Sequence, residues 1–202
     1  MRHHPNSVSI DFPARIEKFA AAIALWGARM NLTAHPDDPD EIAFHVTDCL
    51  MPLMLAMDDS SPFWVRFDNG REILDLGSGA GFPGLVLAAA SPAHFTLVES
   101  RRKRASFLQY AVAEAQLDNV EVLVTRAEDL GTSCRYDIVT ARAFGDSRDF
   151  FELARRLLKA DGVALLYANP SQRLPAGLLR IPYRIPRGDT HVDRILVINK
   201  ST

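Results

Sequence analysis

The chain has 202 residues, 48% of them hydrophobic and 24% charged, which suits a single globular domain able to bury a substantial core. Its two cysteines, Cys49 and Cys134, stand far apart, so a disulfide framework or a Cys-x-x-Cys zinc site is not expected, and no apolar run approaches the roughly 20 residues of a membrane helix. The net charge of −2 divides into −7 over residues 1–100 and +5 over residues 101–202; the basic half could face phosphate, and the opening MRHHPNSVS has no apolar stretch resembling a signal peptide.

Phe12, Ile16, Phe19, Ile23, Trp26 and Met30 recur every three or four residues, so the spacing predicts an amphipathic helix over residues 12–30. After Asn31-Leu-Thr33 and the turn Pro36–Pro39, residues 40–57 read as a second helix, bent or interrupted near Pro52. Residues 1–70 thus read as an N-terminal helical cap. From Arg71 onward short apolar strands alternate with helices. Strands are predicted at 72–76, 94–98, 119–124, 136–140 and 163–167, and helices at 82–90, 101–116 and 147–159. Residues 179–185 and 192–198 form a hairpin about Pro186–Asp189. The fold class expected for residues 71–202 is α/β, a Rossmann-like, mostly parallel seven-stranded sheet with an antiparallel C-terminal hairpin. His45 and His94 are scattered and His3-His4 lie in the tail, so no metal site is expected.

The segment with most chemistry is Ile73-Leu-Asp75-Leu-Gly77-Ser-Gly79-Ala-Gly81-Phe82-Pro-Gly84, where the first strand gives way to a helix. Glycines there let the backbone turn tightly and approach a ligand. The dinucleotide fingerprint requires glycine five residues after Gly77, and Phe82 stands there, which makes a nicotinamide oxidoreductase the weakest reading. The pattern Asp-x-Gly-x-Gly-x-Gly instead resembles the first motif of S-adenosylmethionine methyltransferases. Glu99 closes the second strand, where a carboxylate can accept ribose hydroxyls, and Arg126-Ala127-Glu128 follows the third, where such enzymes hold adenine. Asp75 is placed to orient the loop or the cofactor's ammonium. The same residues could also be a helix-capping loop and solvated charges. The fourth strand runs into Thr140-Ala-Arg142-Ala-Phe144, without the Asn/Asp-Pro-Pro-aromatic motif of amine methylation. Neither cysteine follows a proline as cytosine C5 chemistry requires.

These residues, with Asn31-Leu-Thr33, His45-x-x-Asp48, the Phe-Pro-Gly ending of the loop, Lys103-Arg104-x-x-Phe-Leu108, Ala141-Arg142-Ala-Phe144 and Asp193-Arg194-Ile-Leu-Val-Ile198, resemble the bacterial 16S ribosomal RNA guanine-N7 methyltransferases, the glucose-inhibited division protein B family. The resemblance runs from about residue 12 to residue 200. It implies S-adenosylmethionine as cofactor, contacted by Gly77, Phe82, Ala127, Glu128 and Arg142, to which the residues themselves add Asp75, Gly79, Gly81 and Glu99. It implies that Arg126, Arg142 and Arg194 hold the RNA or line the active site, with 16S rRNA or the small ribosomal subunit as partner. A cytoplasmic monomer without membrane or metal is expected. Two positions depart from the family: Phe44 stands where an Arg usually precedes the His, and Tyr167-Ala-Asn169-Pro170 replaces a Lys-Gly pair, leaving Asn169 or Arg173 as substitutes. Methylation of another RNA or a small molecule, or a non-catalytic cofactor-binding module, are the alternatives.

Overall fold

In the computed structural model, which describes residues 8–132 and 135–200, two helices come first, α1 (Phe12–Met30) and α2 (Pro39–Met57). The alternating stretch supplies β1 (Glu72–Leu76), α3 (Gly84–Ala90), β2 (His94–Val98), α4 (Arg102–Glu114) and β3 (Val120–Leu123). It continues through β4 (Tyr136–Arg142), α5 (Ser147–Leu157) and β5 (Leu158–Ala168) to the hairpin β6 (Leu179–Arg187) and β7 (Thr190–Lys200). Cys134 and the His3-His4 tail lie outside the described residues.

The sheet has the order β3-β2-β1-β4-β5-β7-β6, with β1 to β5 parallel and β7 antiparallel to both neighbours. Side chains alternate between two cores. Ile73, Phe95, Ile138 and Leu165 face a core shared with α1 to α4, whereas Leu74, Leu76, Val139 and Leu166 face α5. Phe19 and Ile23, on the stripe foreseen for α1, are fully buried, each contributing about 1.5–3 kcal/mol of apolar burial. Strand order reverses between β1 and β4, so the crevice beyond their carboxyl ends is where an open α/β sheet places a ligand.

Several element ends shift by one or two residues, and three further departures from expectation have a local cause. Helix α2 runs through Pro52 without a break, because Cys49, Pro52 and Leu53 are all buried and that packing outweighs the lost backbone bond. Helix α5 stops at Leu157 rather than 159: Leu158 already pairs with Tyr136, and the strand bulges over residues 159–162 before Val163 pairs with Ile138. The hairpin turn is tighter than foreseen. Pro186 and Arg187 belong to β6, and Gly188, at φ +57°, takes the first central position of a two-residue turn closed by the Arg187–Thr190 pair. Strand β6 forms one edge of the sheet and carries Pro182 and Pro186.

Candidate active site

The loop from Gly77 to Gly84 leaves β1 with three left-handed glycines, Gly77, Gly79 and Gly81, at φ +70°, +55° and +92°. A Cβ on Gly77 would meet nothing within 4 Å, so its backbone borders open space that a ligand can fill. Gly84 is the reverse case: a Cβ there would overlap Leu97 and lie 2.6 Å from Asp75 Oδ2. This contact lets the Gly84 amide donate to Asp75 Oδ2 at 3.2 Å, pinning the first turn of α3 to the end of β1. The other oxygen, Asp75 Oδ1, is buried without a partner, and burial pushes this carboxyl up to about 7. Glu99, 6% exposed, accepts from the Gly79 amide (3.1 Å) and the Arg101 amide (2.8 Å), so it shapes the loop as well as standing at the ribose position. A free buried acceptor, an open glycine backbone and a carboxylate at the end of β2 fit S-adenosylmethionine, whose α-ammonium, methionine and ribose hydroxyls match them in turn.

Beside the loop, at the end of β4, stands Arg142. Its guanidinium lies 4.9 Å over the Phe82 ring, donates to Asp48 Oδ2 at 3.2 Å and points to His45 Nδ1 at 3.3 Å. His45 Nε2 in turn faces Glu41 Oε1 at 3.3 Å. With Nδ1 accepting from Arg142, the imidazole proton belongs on Nε2, where Glu41 receives it. Burial first, and Arg142, Arg187 and Arg194 after it, bring the His45 pKa down to about 4, so the ring is neutral at physiological pH. Asp48 is 2% exposed; its Oδ1 accepts from the Tyr183 hydroxyl at 2.6 Å, and Arg194 Nε lies 4.0 Å from Oδ2. Burial and Asp48 raise the Tyr183 phenol above its ordinary value, keeping it a donor. Arg187 reaches from β6 to Glu41 Oε2 at 2.7 Å. Phe44 forms a buried aromatic floor beneath two cations, Arg187 at 5.0 Å and Arg194 at 5.7 Å from the ring centroid.

Of the residues singled out from sequence, Asp75, Gly77, Gly79, Gly81, Phe82, Glu99 and Arg142 gather at the carboxyl ends of β1, β2 and β4. Ala127 and Glu128 form a short 3-10 turn after β3, with Glu128 exposed. Arg194 joins Arg142 through Asp48, whereas Arg126 is exposed and, among the described residues, makes no hydrogen bond or ion pair with that cluster. Asn169 is exposed and its carbonyl accepts from the Gln172 amide; Arg173 borders a hollow of about 240 Å³ with Arg148 and Gln172. Glu41, Tyr183 and Arg187 were not foreseen. Glu41 lies one helical turn before His45, and Tyr183 shares the buried alternation of Ile181 and Ile185, but only folding joins them. Among the described residues, no group of three His, Cys, Asp or Glu side chains could hold a metal, and no helix is long and apolar enough to cross a membrane.

A family model described as "rRNA small subunit methyltransferase G" matches residues 13–173. The chain is 35% identical over 182 residues to the ribosomal RNA small subunit methyltransferase G of Methylobacillus flagellatus, covering 87% of this chain and 83% of that protein. It is 36% identical over 172 residues to the protein of the same name from Wolinella succinogenes, covering 83% and 82%. Among solved structures, one described as MtNAS in complex with MTA and tNA superposes with a TM-score of 0.62 at 16% identity, over 95% of this chain and 71% of that one. An S-adenosylmethionine-dependent O-methyltransferase from Thermotoga maritima does so with a TM-score of 0.55 at 15% identity, over 77% and 64%. The structural likenesses establish the fold, and the sequence matches go further: the chain belongs to the rRNA small subunit methyltransferase G family of S-adenosylmethionine-dependent enzymes.

Proposed function

We propose that this protein methylates N7 of a guanine in 16S ribosomal RNA, acting as a monomer in the cytoplasm on the small ribosomal subunit or its RNA. The helices before residue 71 then serve as a cap and residues 71–202 as the catalytic core, the cap's Phe19 and His45 packing on Phe82 of the loop at 5.3 Å and 5.1 Å. When bound, S-adenosylmethionine supplies an electrophilic methyl on a sulfonium. Asp75 and the Gly77–Gly81 backbone would hold its amino-acid end, Glu99 its ribose, and Ala127 and Glu128 its adenine.

The observation that carries the reading is the state of Arg142 and His45. The acceptor side is cationic, yet the nearby imidazole already commits its Nδ1 lone pair to Arg142 and stays neutral. Guanine N7 brings its own lone pair and loses no proton, so it needs alignment rather than a general base. The N7–carbon bond forms as the carbon–sulfur bond breaks, and the positive charge passes to the purine. Arginine donors aimed at O6 and phosphate, from Arg142, Arg194 and Arg126, would orient the base while leaving N7 free. The carboxylates of Glu41 and Asp48 offset the charge the ring acquires.

The test combines methyl-labelled S-adenosylmethionine, the protein and small subunits lacking N7 methylation, followed by mass spectrometry of the digested nucleosides. Labelled 7-methylguanosine in 16S RNA is the expected result. A second reading, another RNA or a small molecule as acceptor, is motivated by Asn169-Pro170 where the family carries Lys-Gly; label on those acceptors and none on 16S RNA establishes it. Tight cofactor binding with no turnover on any acceptor would identify a non-catalytic module.

A further inference from the structure

Most of the cations around Arg142 have carboxylate partners: Arg142 and Arg194 share Asp48, and Arg187 holds Glu41. On the opposite side of the glycine loop the arrangement changes. Arg29, from the last turn of α1, and Arg101, Arg102, Lys103 and Arg104, at the start of α4, surround a hollow of about 310 Å³ whose other lining residues are Met30 and Asn31. No carboxylate lines it. The nearest one the structure ties to it is Glu99, buried, with both oxygens already on the Gly79 and Arg101 amides. Among the described residues, none of these five cations has an ion-pair partner.

The cluster is built by the fold. Arg104 Nη2 donates to the Asn31 carbonyl at 3.1 Å, fastening the end of α1 to α4 and thereby setting Arg29 beside the run 101–103. Arg104 Nη1 also lies 3.8 Å from where a Cβ on Gly79 would stand, so the hollow adjoins the cofactor loop. Arg101, Arg102, Lys103 and Arg29 are exposed. Like charges crowded without counter-charge repel one another, and a polyanion laid across them relieves that repulsion by releasing its own counterions.

We propose that Arg29, Arg101, Arg102 and Lys103 form a docking surface for RNA phosphates, holding the strand that flanks the target nucleotide as it passes the cofactor loop. The proposal rests on the methyltransferase reading for its choice of RNA. Arg104 belongs to the scaffold and Arg101 borders Glu99, so the test leaves both intact.

The variant Arg29→Gln/Arg102→Gln/Lys103→Gln is compared with the parent in binding to small subunits and to protein-free 16S RNA at several salt concentrations. Cofactor affinity by calorimetry and methyl-transfer kinetics are measured alongside. Three lost phosphate contacts should lower the slope of log affinity against log salt by about 2 to 3, and raise KM for subunits about tenfold or more at low salt. Cofactor Kd and kcat should stay within about twofold. An unchanged slope and KM in the folded variant would overturn the proposal. So would a loss of subunit binding with RNA binding intact, which would assign the patch to a ribosomal protein. If the parent methylates nothing, the failure belongs to the methyltransferase reading, and the RNA-binding comparison still decides the patch.

Discussion

Changing pH, and replacing Asp75 by Asn, tests how the cofactor loop is charged. Asp75 lies fully inside the protein, with Oδ2 on the Gly84 amide and Oδ1 unpartnered, and burial moves its pKa from 3.8 to about 7. A shift of that size means the cofactor-free fold disfavours the carboxylate by about 4 kcal/mol. Between pH 3.8 and about 7 the native state holds a proton that the unfolded chain has released, so this residue's contribution to stability falls as pH rises through that window. In the proposed role of Asp75, the cofactor's ammonium would reverse the balance, because it would bind the ionised form. Below pH 7 its binding must expel the proton, so affinity should weaken about tenfold between pH 8 and pH 6, with uptake of that proton by the buffer. Asp75→Asn removes the charge without changing shape. It should weaken cofactor binding about 10- to 150-fold at pH 8, the worth of a hydrogen bond to a charged group, and flatten the pH profile. Calorimetry in two buffers of different ionisation enthalpy measures both affinity and proton release. A parent Kd unchanged from pH 6 to pH 8, or the same slope retained in Asp75→Asn, would refute the argument.

Tyr183→Phe removes a 2.6 Å bond to the buried Asp48 carboxylate and should cost about 1.5–3 kcal/mol, lowering Tm by about 3–12 °C. Tyr167→Phe, whose hydroxyl donates at 2.8 Å to the neutral Cys49 carbonyl, should cost only about 1 kcal/mol; equal shifts in the two variants by scanning calorimetry would contradict this ranking. Gly84→Ala forces a methyl onto Leu97 and Asp75, so an overpacking cost of about 1–3 kcal/mol and weakened cofactor binding are expected, against wild-type values for both if the turn can yield. His45, held near 4 in the fold against 6.5 unfolded, contributes stability above pH 6.5 that is lost as pH falls toward 4. In thermal melts from pH 7 to pH 4.5, His45→Gln should lose less Tm than the parent, and parallel curves would show that His45 is not the acid-sensitive group.

Sequence made the placement of the proposed cofactor-binding residues legible because its determinants are local. Asp75, the glycines and Phe82 lie within one strand-to-helix turn, and Glu99 ends the next strand, so the glycine pattern together with strand periodicity placed them at neighbouring strand ends. The proposed acceptor half depends on contacts that no local pattern records. Arg187 meets Glu41 across 146 residues, and Tyr183 meets Asp48 across 135. Phe44 was visible only as a departure; the fold shows it supporting cations supplied by the hairpin. The boundary between α5 and β5 was misplaced because Leu157-Leu158 continues the helical stripe, while the chain turns directly into strand pairing there. In α2, proline chemistry pointed to a bend or an interruption, and the helix continues through Pro52 among buried neighbours.

The prolines of β6 carry a consequence for assembly. The two-residue turn makes Arg187 and Thr190 a hydrogen-bonded pair, and antiparallel ladders alternate, so Pro186 opposite His191 and Pro182 opposite Ile195 both fall on non-bonded pairs. Their nitrogens therefore point away from β7, and the ladder within the sheet loses nothing. The outward rim of the sheet loses a good deal: every second position along it offers no N–H, and the alternate positions between them are Arg180 and Arg184, whose side chains are exposed. An approaching strand would find half its acceptors unanswered, beside two exposed cations. Growth of the sheet from one molecule into the next is thus opposed at its β6 edge by covalent structure rather than by a covering element.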